Sequence, residues 1–151
     1  MDIWLNHPSN LLNGQKLGLI EGTIHSFIIP DGIGRLPNKI TSHFGGFTAD
    51  QWRSWITIYS SVLLWHVIDA EHWKCWNLFV KAMKMICCRV VKVDDILHAD
   101  SLLQEFCITF QELYGEKSCS ANMHLHLHLY KCLQDYGPTY AFWLYAFERY
   151  I

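Results

Sequence analysis

The densest run of chemistry-bearing side chains lies between residues 119 and 132. Asn122-Met123-His124-Leu125-His126-Leu127-His128-Leu129 supplies three imidazoles, with Cys119 before it and Cys132 after it. Imidazole nitrogen and thiolate sulfur are the ordinary ligands of Zn²⁺. If residues 121–135 are helical, His124, His128 and Cys132 fall at i, i+4 and i+8 on one face, and with Cys119 one loop away they make a plausible zinc set. If the alternation marks a strand instead, His124, His126 and His128 share a face. The helix is the better reading, because the alternation is short, runs on into Tyr130-Lys131-Cys132-Leu133-Gln134 and stops at Gly137. Strong zinc signatures pair two close cysteines with two close histidines, and this run does not; the same histidines would also serve as structural or DNA-facing groups.

A second group is basic. Between residues 74 and 92 stand Lys74, Lys81, Lys84, Arg89 and Lys92 with no acid, whereas Asp94, Asp95, Asp100, Glu105, Glu112 and Glu116 follow with no lysine or arginine. On a helical wheel Lys74, Lys81 and Lys92 share one narrow stripe, provided the helix lasts that long, and such a stripe would meet DNA phosphates. The alternative is that the two charged segments complement one another as antiparallel neighbours, or are simply solvated. A net charge of −2 has the wrong sign for a protein that wraps DNA over its whole surface, so any nucleic-acid contact is local. Trp52, Trp55, Trp65, Trp73, Trp76, Trp143 and Phe147 have rings that would stack on bases, but their helical spacing assigns them to core packing.

These groups need elements to hold them. A chain of 151 residues with 51% hydrophobic and 15% aromatic residues can bury a core without disulfides or metal. Seven of the nine glycines and three of the four prolines precede residue 47, so residues 1–47 read as an extended, turn-rich lead with one short strand at 24–29. Residues 48–151 read as a single helical domain, and the predicted fold is mainly α, a bundle of about five helices from Thr48 on. Thr48 and Gln51 form a capping box opening a helix whose stripe is Trp52, Ile56, Tyr59 and Leu63. A second helix opens at Asp69, carries Trp76, Val80, Met83 and Cys87 on one inward face that Trp73 and Phe79 widen, and ends near Val90-Val91. The third, from about Asp94 to Tyr114, has the cleanest period, with Ile96, Ala99, Leu103, Phe106, Phe110 and Leu113 spaced 3, 4, 3, 4, 3 and Gly115 as its stop. The histidine helix follows, and a last helix begins at Pro138.

No apolar run reaches the roughly 18 residues that span a bilayer; the longest, 52–68, is broken by Arg53, Ser54, Ser60, Ser61 and His66. The opening residues lack the pattern of a secretory signal, so an intracellular protein without a membrane partner is expected. The six cysteines are then expected to be reduced thiols, most of them small core residues.

Four strings spread over about four fifths of the chain carry a resemblance: Ile33-Gly34-Arg35-Leu36-Pro37; Gly46-Phe47-Thr48-Ala49-Asp50-Gln51-Trp52; the histidine run 122–129; and Tyr136-Gly137-Pro138 followed by Phe147-Glu148-Arg149-Tyr150. In that order the chain resembles the C-terminal transposase-associated region of CACTA (En/Spm-like) DNA transposases. The resemblance implies a nuclear protein and an RNase H-like enzyme in which two aspartates on strands and a later glutamate on a helix hold Mg²⁺, with a helical region before the glutamate. Carboxylates suit that task because they are hard oxygen ligands. By resemblance Glu148 is the third metal ligand and Arg149 a phosphate contact; without it the two are an ion-paired or solvated couple at a helix end. The aspartate-bearing strands are not found here, so the chain is expected to be a fragment that needs a missing RNase H-like core or another transposase chain, and inactive alone. The alternative is a non-catalytic helical module, derived from a mobile element, that binds DNA or protein.

Overall fold

The computed structural model describes residues 2–5, 11–29 and 47–141, and every regular element among them is helical. The fold is mainly α, as the periodicity of the chain requires. Two compact units divide it, Met1–Trp73 and Lys74–Ile151.

The first unit contains α1 (Asp2–Leu5) and α2 (Gly14–Ser26). Trp4 is buried, and its carbonyl accepts the Leu12 N–H at 3.1 Å. Asn13 opens α2, its Oδ1 accepting the Lys16 N–H at 2.9 Å, one of the donors that a helix start leaves without a partner. The turns and the strand at 24–29 expected from the glycine content are corrected here, because residues 14–26 are helical and the chain turns extended only at Phe27. Each interior glycine costs a helix about 0.5–1 kcal/mol, whereas burying a Leu or Ile side chain returns about 1.5–3 kcal/mol. Leu17, Ile20 and Ile24 are all buried along one side of α2, so packing outweighs propensity. Residues 30–46, including the Ile33–Pro37 string, lie outside the described residues.

The helix opening at Thr48 starts as the sequence indicates. Thr48 Oγ1 accepts the Gln51 N–H at 3.3 Å, and Gln51 Oε1 accepts the Thr48 N–H at 2.9 Å. Phe47, one residue before the cap, packs on Trp52 with ring centroids 5.1 Å apart, a hydrophobic staple that fixes how the chain enters. The helix then changes pitch: α3 (Ala49–Ser54) passes into a π-helical turn (Trp55–Tyr59), in which the Ser60 N–H reaches the Trp55 carbonyl, before α4 (Ser60–Leu64) resumes. One extra residue in the turn rotates everything after it. The buried positions are Ser54, Trp55, Tyr59, Ser60, Leu63 and Leu64, while Trp52 and Ile56, expected in the stripe, are only half-buried. Beyond α4, Trp73 donates its Nε1–H to the Ser61 carbonyl at 2.8 Å and meets Trp65 edge-on at 4.2 Å.

The boundary between the units falls within α5 (Ala70–Ile86). Its buried face is Cys75, Phe79, Ala82 and Ile86, with Val80 beside it. Three of the positions expected inward, Trp76, Met83 and Cys87, stand one residue later than Cys75, Ala82 and Ile86, and are half-buried at the flank. The helix also stops at Ile86 rather than near Val90. Helix α6 (Val93–Tyr114) buries Ala99, Leu102, Leu103 and Phe106, and Phe106 lies 5.2 Å from Phe79. Gly115 ends α6 at φ +81°, a conformation that only glycine adopts cheaply, and its N–H reaches the Gln111 carbonyl at 2.8 Å.

The expected histidine helix is two helices, α7 (Ala121–His126) and α8 (Leu129–Tyr136), joined by a tight turn in which the Leu127 and His128 N–H groups bond to the carbonyls of His124 and Leu125. Met123 and Leu133 are buried. After Gly137, residues Thr139–Ala141 form a single 3₁₀ turn, tied down by the buried Thr139 hydroxyl donating to the Ile86 carbonyl at 2.9 Å. The rest of the expected last helix lies outside the described residues.

Candidate functional site

Lys74, Lys81 and Lys84 all sit exposed on α5. Steps of 7 and 3 residues keep them within about 80° of the helix circumference. Lys92 does not join them there, because α5 has ended; it occupies the cap position of α6, where its backbone N–H donates to Asp95 Oδ2 at 3.2 Å. A hollow of ≈ 370 Å³ is lined by Lys81, Lys84, Met85, Cys88, Val90 and Asp95. Lys84 was visible in the sequence only as a charge; its place beside Lys81 follows from the i, i+3 spacing. Among the described residues the ion pairs are Arg53 with Asp50 and Lys131 with Asp135, and none joins α5 to the acids of α6. The ammonium groups of Lys81 and Lys84, which line the hollow, would donate to a phosphate oxygen as point charges.

The histidines separate by helical phase. His124 and His128 are exposed and meet across the α7–α8 turn, Nε2 to Nε2 at 3.1 Å, with ring planes at 82°. His126 turns the other way and lies 5.1 Å from Phe79. Burial pushes its basicity down, which holds it neutral, and its Nδ1 is buried without a partner among the described residues. The strand alternative, with three imidazoles on one face, is therefore excluded. Of the four groups read as a zinc set, the two histidines come together. Cys132 is half-buried and Cys119 exposed, with Sγ 3.9 Å from the Gly115 carbonyl. Among the described residues no three histidine, cysteine, aspartate or glutamate side chains converge to hold a metal ion.

None of the six cysteines forms a disulfide. Burial, with Cys107 nearby, pushes Cys75 up to about 12, and burial together with Cys119 raises Cys107, so both stay protonated and unreactive. Among the described residues no helix is long and apolar enough to cross a membrane. Glu148 and Arg149 lie outside the described residues.

No protein-family model matches the chain, and no curated protein or solved structure does either.

Proposed function

We propose that the chain is the helical part of a DNA transposase of the CACTA kind, working in the nucleus and touching DNA along the basic side of α5. The observation that carries the DNA contact is that Lys74, Lys81 and Lys84 share an exposed side of α5 and, among the described residues, make no ion pair, although the next helix carries Asp94, Asp95, Asp100, Glu105 and Glu112. Of those acids, Asp95 lines the same hollow as Lys81 and Lys84, with its Oδ2 accepting the Lys92 N–H, so the lysines are left for an outside anion or for solvent. The transposase assignment rests on the four strings of sequence. In that assignment Glu148 is the carboxylate this chain contributes toward Mg²⁺, and Arg149 a phosphate contact. The described residues do not themselves fit such an ion, so two aspartates must come from an RNase H-like core or another transposase chain.

A non-catalytic module that holds DNA or protein is the second reading, favoured by the same surface because phosphate binding needs no carboxylate. Replacing Lys74, Lys81 and Lys84 together by glutamine should weaken duplex binding uniformly across sequences, as expected for backbone contacts. Lys131→Gln, which removes a lysine already paired with Asp135, should change it little. Glu148→Gln in a reconstituted full-length enzyme then separates the readings: loss of strand transfer with DNA binding intact supports the transposase, and intact strand transfer removes Glu148 from its mechanism.

A further inference from the structure

We infer that His124 and His128 form a two-point clamp for a divalent transition-metal ion of the zinc class, with its remaining coordination positions open. The inference stands on the α7–α8 turn and does not depend on the DNA-binding reading. Two imidazoles on one ion, each at about 2.0–2.1 Å, stand about 2.9 Å apart at a right angle and about 3.3 Å apart at the tetrahedral angle. The observed Nε2 separation of 3.1 Å lies between these, so an ion needs no change in the spacing of the two nitrogens, only a turn of the rings to converge on it.

The sequence builds this arrangement locally. Spacing of i, i+4 places the two rings over one another, and the tight bonds from Leu127 and His128 close the turn between them. Burial anchors both flanks: Met123 on α7 is buried and its carbonyl lies 3.8 Å from the Cys107 thiol, and Leu133 on α8 is buried. Both rings are exposed, so an ion reaches them without opening the fold. Without metal, one ring donates its Nε2–H to the lone pair of the other. When the ion binds, that proton moves to Nδ1 of the same ring, both Nε2 lone pairs face the metal, and both rings remain neutral.

The ligand count is two from the described residues, because His126 is packed against Phe79 and no third group joins the pair. Water, or a donor from another molecule, fills the other positions. Imidazole nitrogen selects Zn²⁺, Cu²⁺ or Ni²⁺ over Mg²⁺ and Ca²⁺, which prefer oxygen. The site is thus distinct in chemistry from any carboxylate site for Mg²⁺.

The test is titration of the reduced full chain with Zn²⁺, and with Co²⁺ as a spectroscopic probe. Expected are one ion per chain and weak visible bands without sulfur charge transfer. Affinity should fall by at least the roughly 10–100-fold that even an outer-shell partner is worth, in both His124→Ala and His128→Ala. Both side chains are exposed, so far-ultraviolet circular dichroism of these variants should be unchanged, which separates lost binding from lost folding. Cys119→Ser and Cys132→Ser should bind as the parent does. Absence of binding, unchanged affinity in either histidine variant, or a sulfur charge-transfer band that disappears in either cysteine variant would each overturn the clamp.

Discussion

Among the described residues of the unit Met1–Trp73, one of the largest side chains, Trp55, has no exposed surface, and Leu11, Leu12, Ile20 and Leu64 are buried as deeply or nearly so. Among the described residues of Lys74–Ile151 the deepest positions are Cys75, Val80, Ala82, Ile86, Ala99 and Leu103, while the groups proposed to bind a ligand, Lys74, Lys81, Lys84, His124 and His128, stand outside. The contrast teaches that stability and binding are written on different residues. Substitutions in the first set should unfold the protein, and substitutions in the second should leave it folded and change what it holds.

The largest effect should come from Trp55→Ala. Removing a large buried aromatic leaves a cavity and costs about 3–5 kcal/mol, to be read from urea unfolding. A cost under about 1 kcal/mol would break the contrast at its first member. The next effects come from glycines, and their signs should be opposite. Gly115→Ala forces a side chain into φ +81° and should cost about 1–3 kcal/mol. Gly18→Ala and Gly22→Ala place a methyl group where no side chain and nothing outside the helix's own backbone lies within 4 Å, in a helix that glycine weakens, so each should stabilise by about 0.5–1 kcal/mol.

A smaller effect is one of pH. Burial lowers His126 below its ordinary value of 6.5, so just below that value the unfolded chain binds more protons than the folded one. This contribution to stability is present above about pH 6.5 and is lost as the pH falls toward the lowered value of the folded state. His126→Phe, which keeps a ring against Phe79, should therefore show a smaller drop in Tm between neutral and mildly acidic solution than the parent; an equal drop would place the titrating group elsewhere.

How far the sequence could be read follows from where each decision is made. The capping box at Thr48 and the stop at Gly115 are settled within three or four residues of backbone, and both were legible. On the buried face of α5, Phe79 and Val80 were legible, but the other positions were missed by one residue, because adjacent positions are both apolar and only packing decides that Cys75 and Ala82, rather than Trp76 and Met83, turn inward. The π-helical turn at Trp55–Tyr59 has no local signal, and it displaced the expected stripe. Glycine count misled at α2, where the buried Leu17, Ile20 and Ile24 outweigh it. Of the candidate site, the closeness of Lys74 to Lys81 follows from helical period alone, whereas that of His124 to His128 also needs the tight turn between α7 and α8. Lys92 was misplaced because the end of α5 at Ile86 carries no breaker, and the separate fate of His126 depends on Phe79 from another helix.

The central claim, that the basic side of α5 holds DNA phosphates, is tested most directly by the salt dependence of duplex binding. Three phosphate contacts give a slope of log affinity against log salt of about −2.7, from about 0.9 per contact. The chain should show a slope of at least that order, and the triple Lys74→Gln, Lys81→Gln, Lys84→Gln variant, its unfolding free energy within about 0.5 kcal/mol of the parent, should lose about 2.7 of it and keep only what Arg149 contributes. A triple variant that keeps the parent slope would contradict the claim.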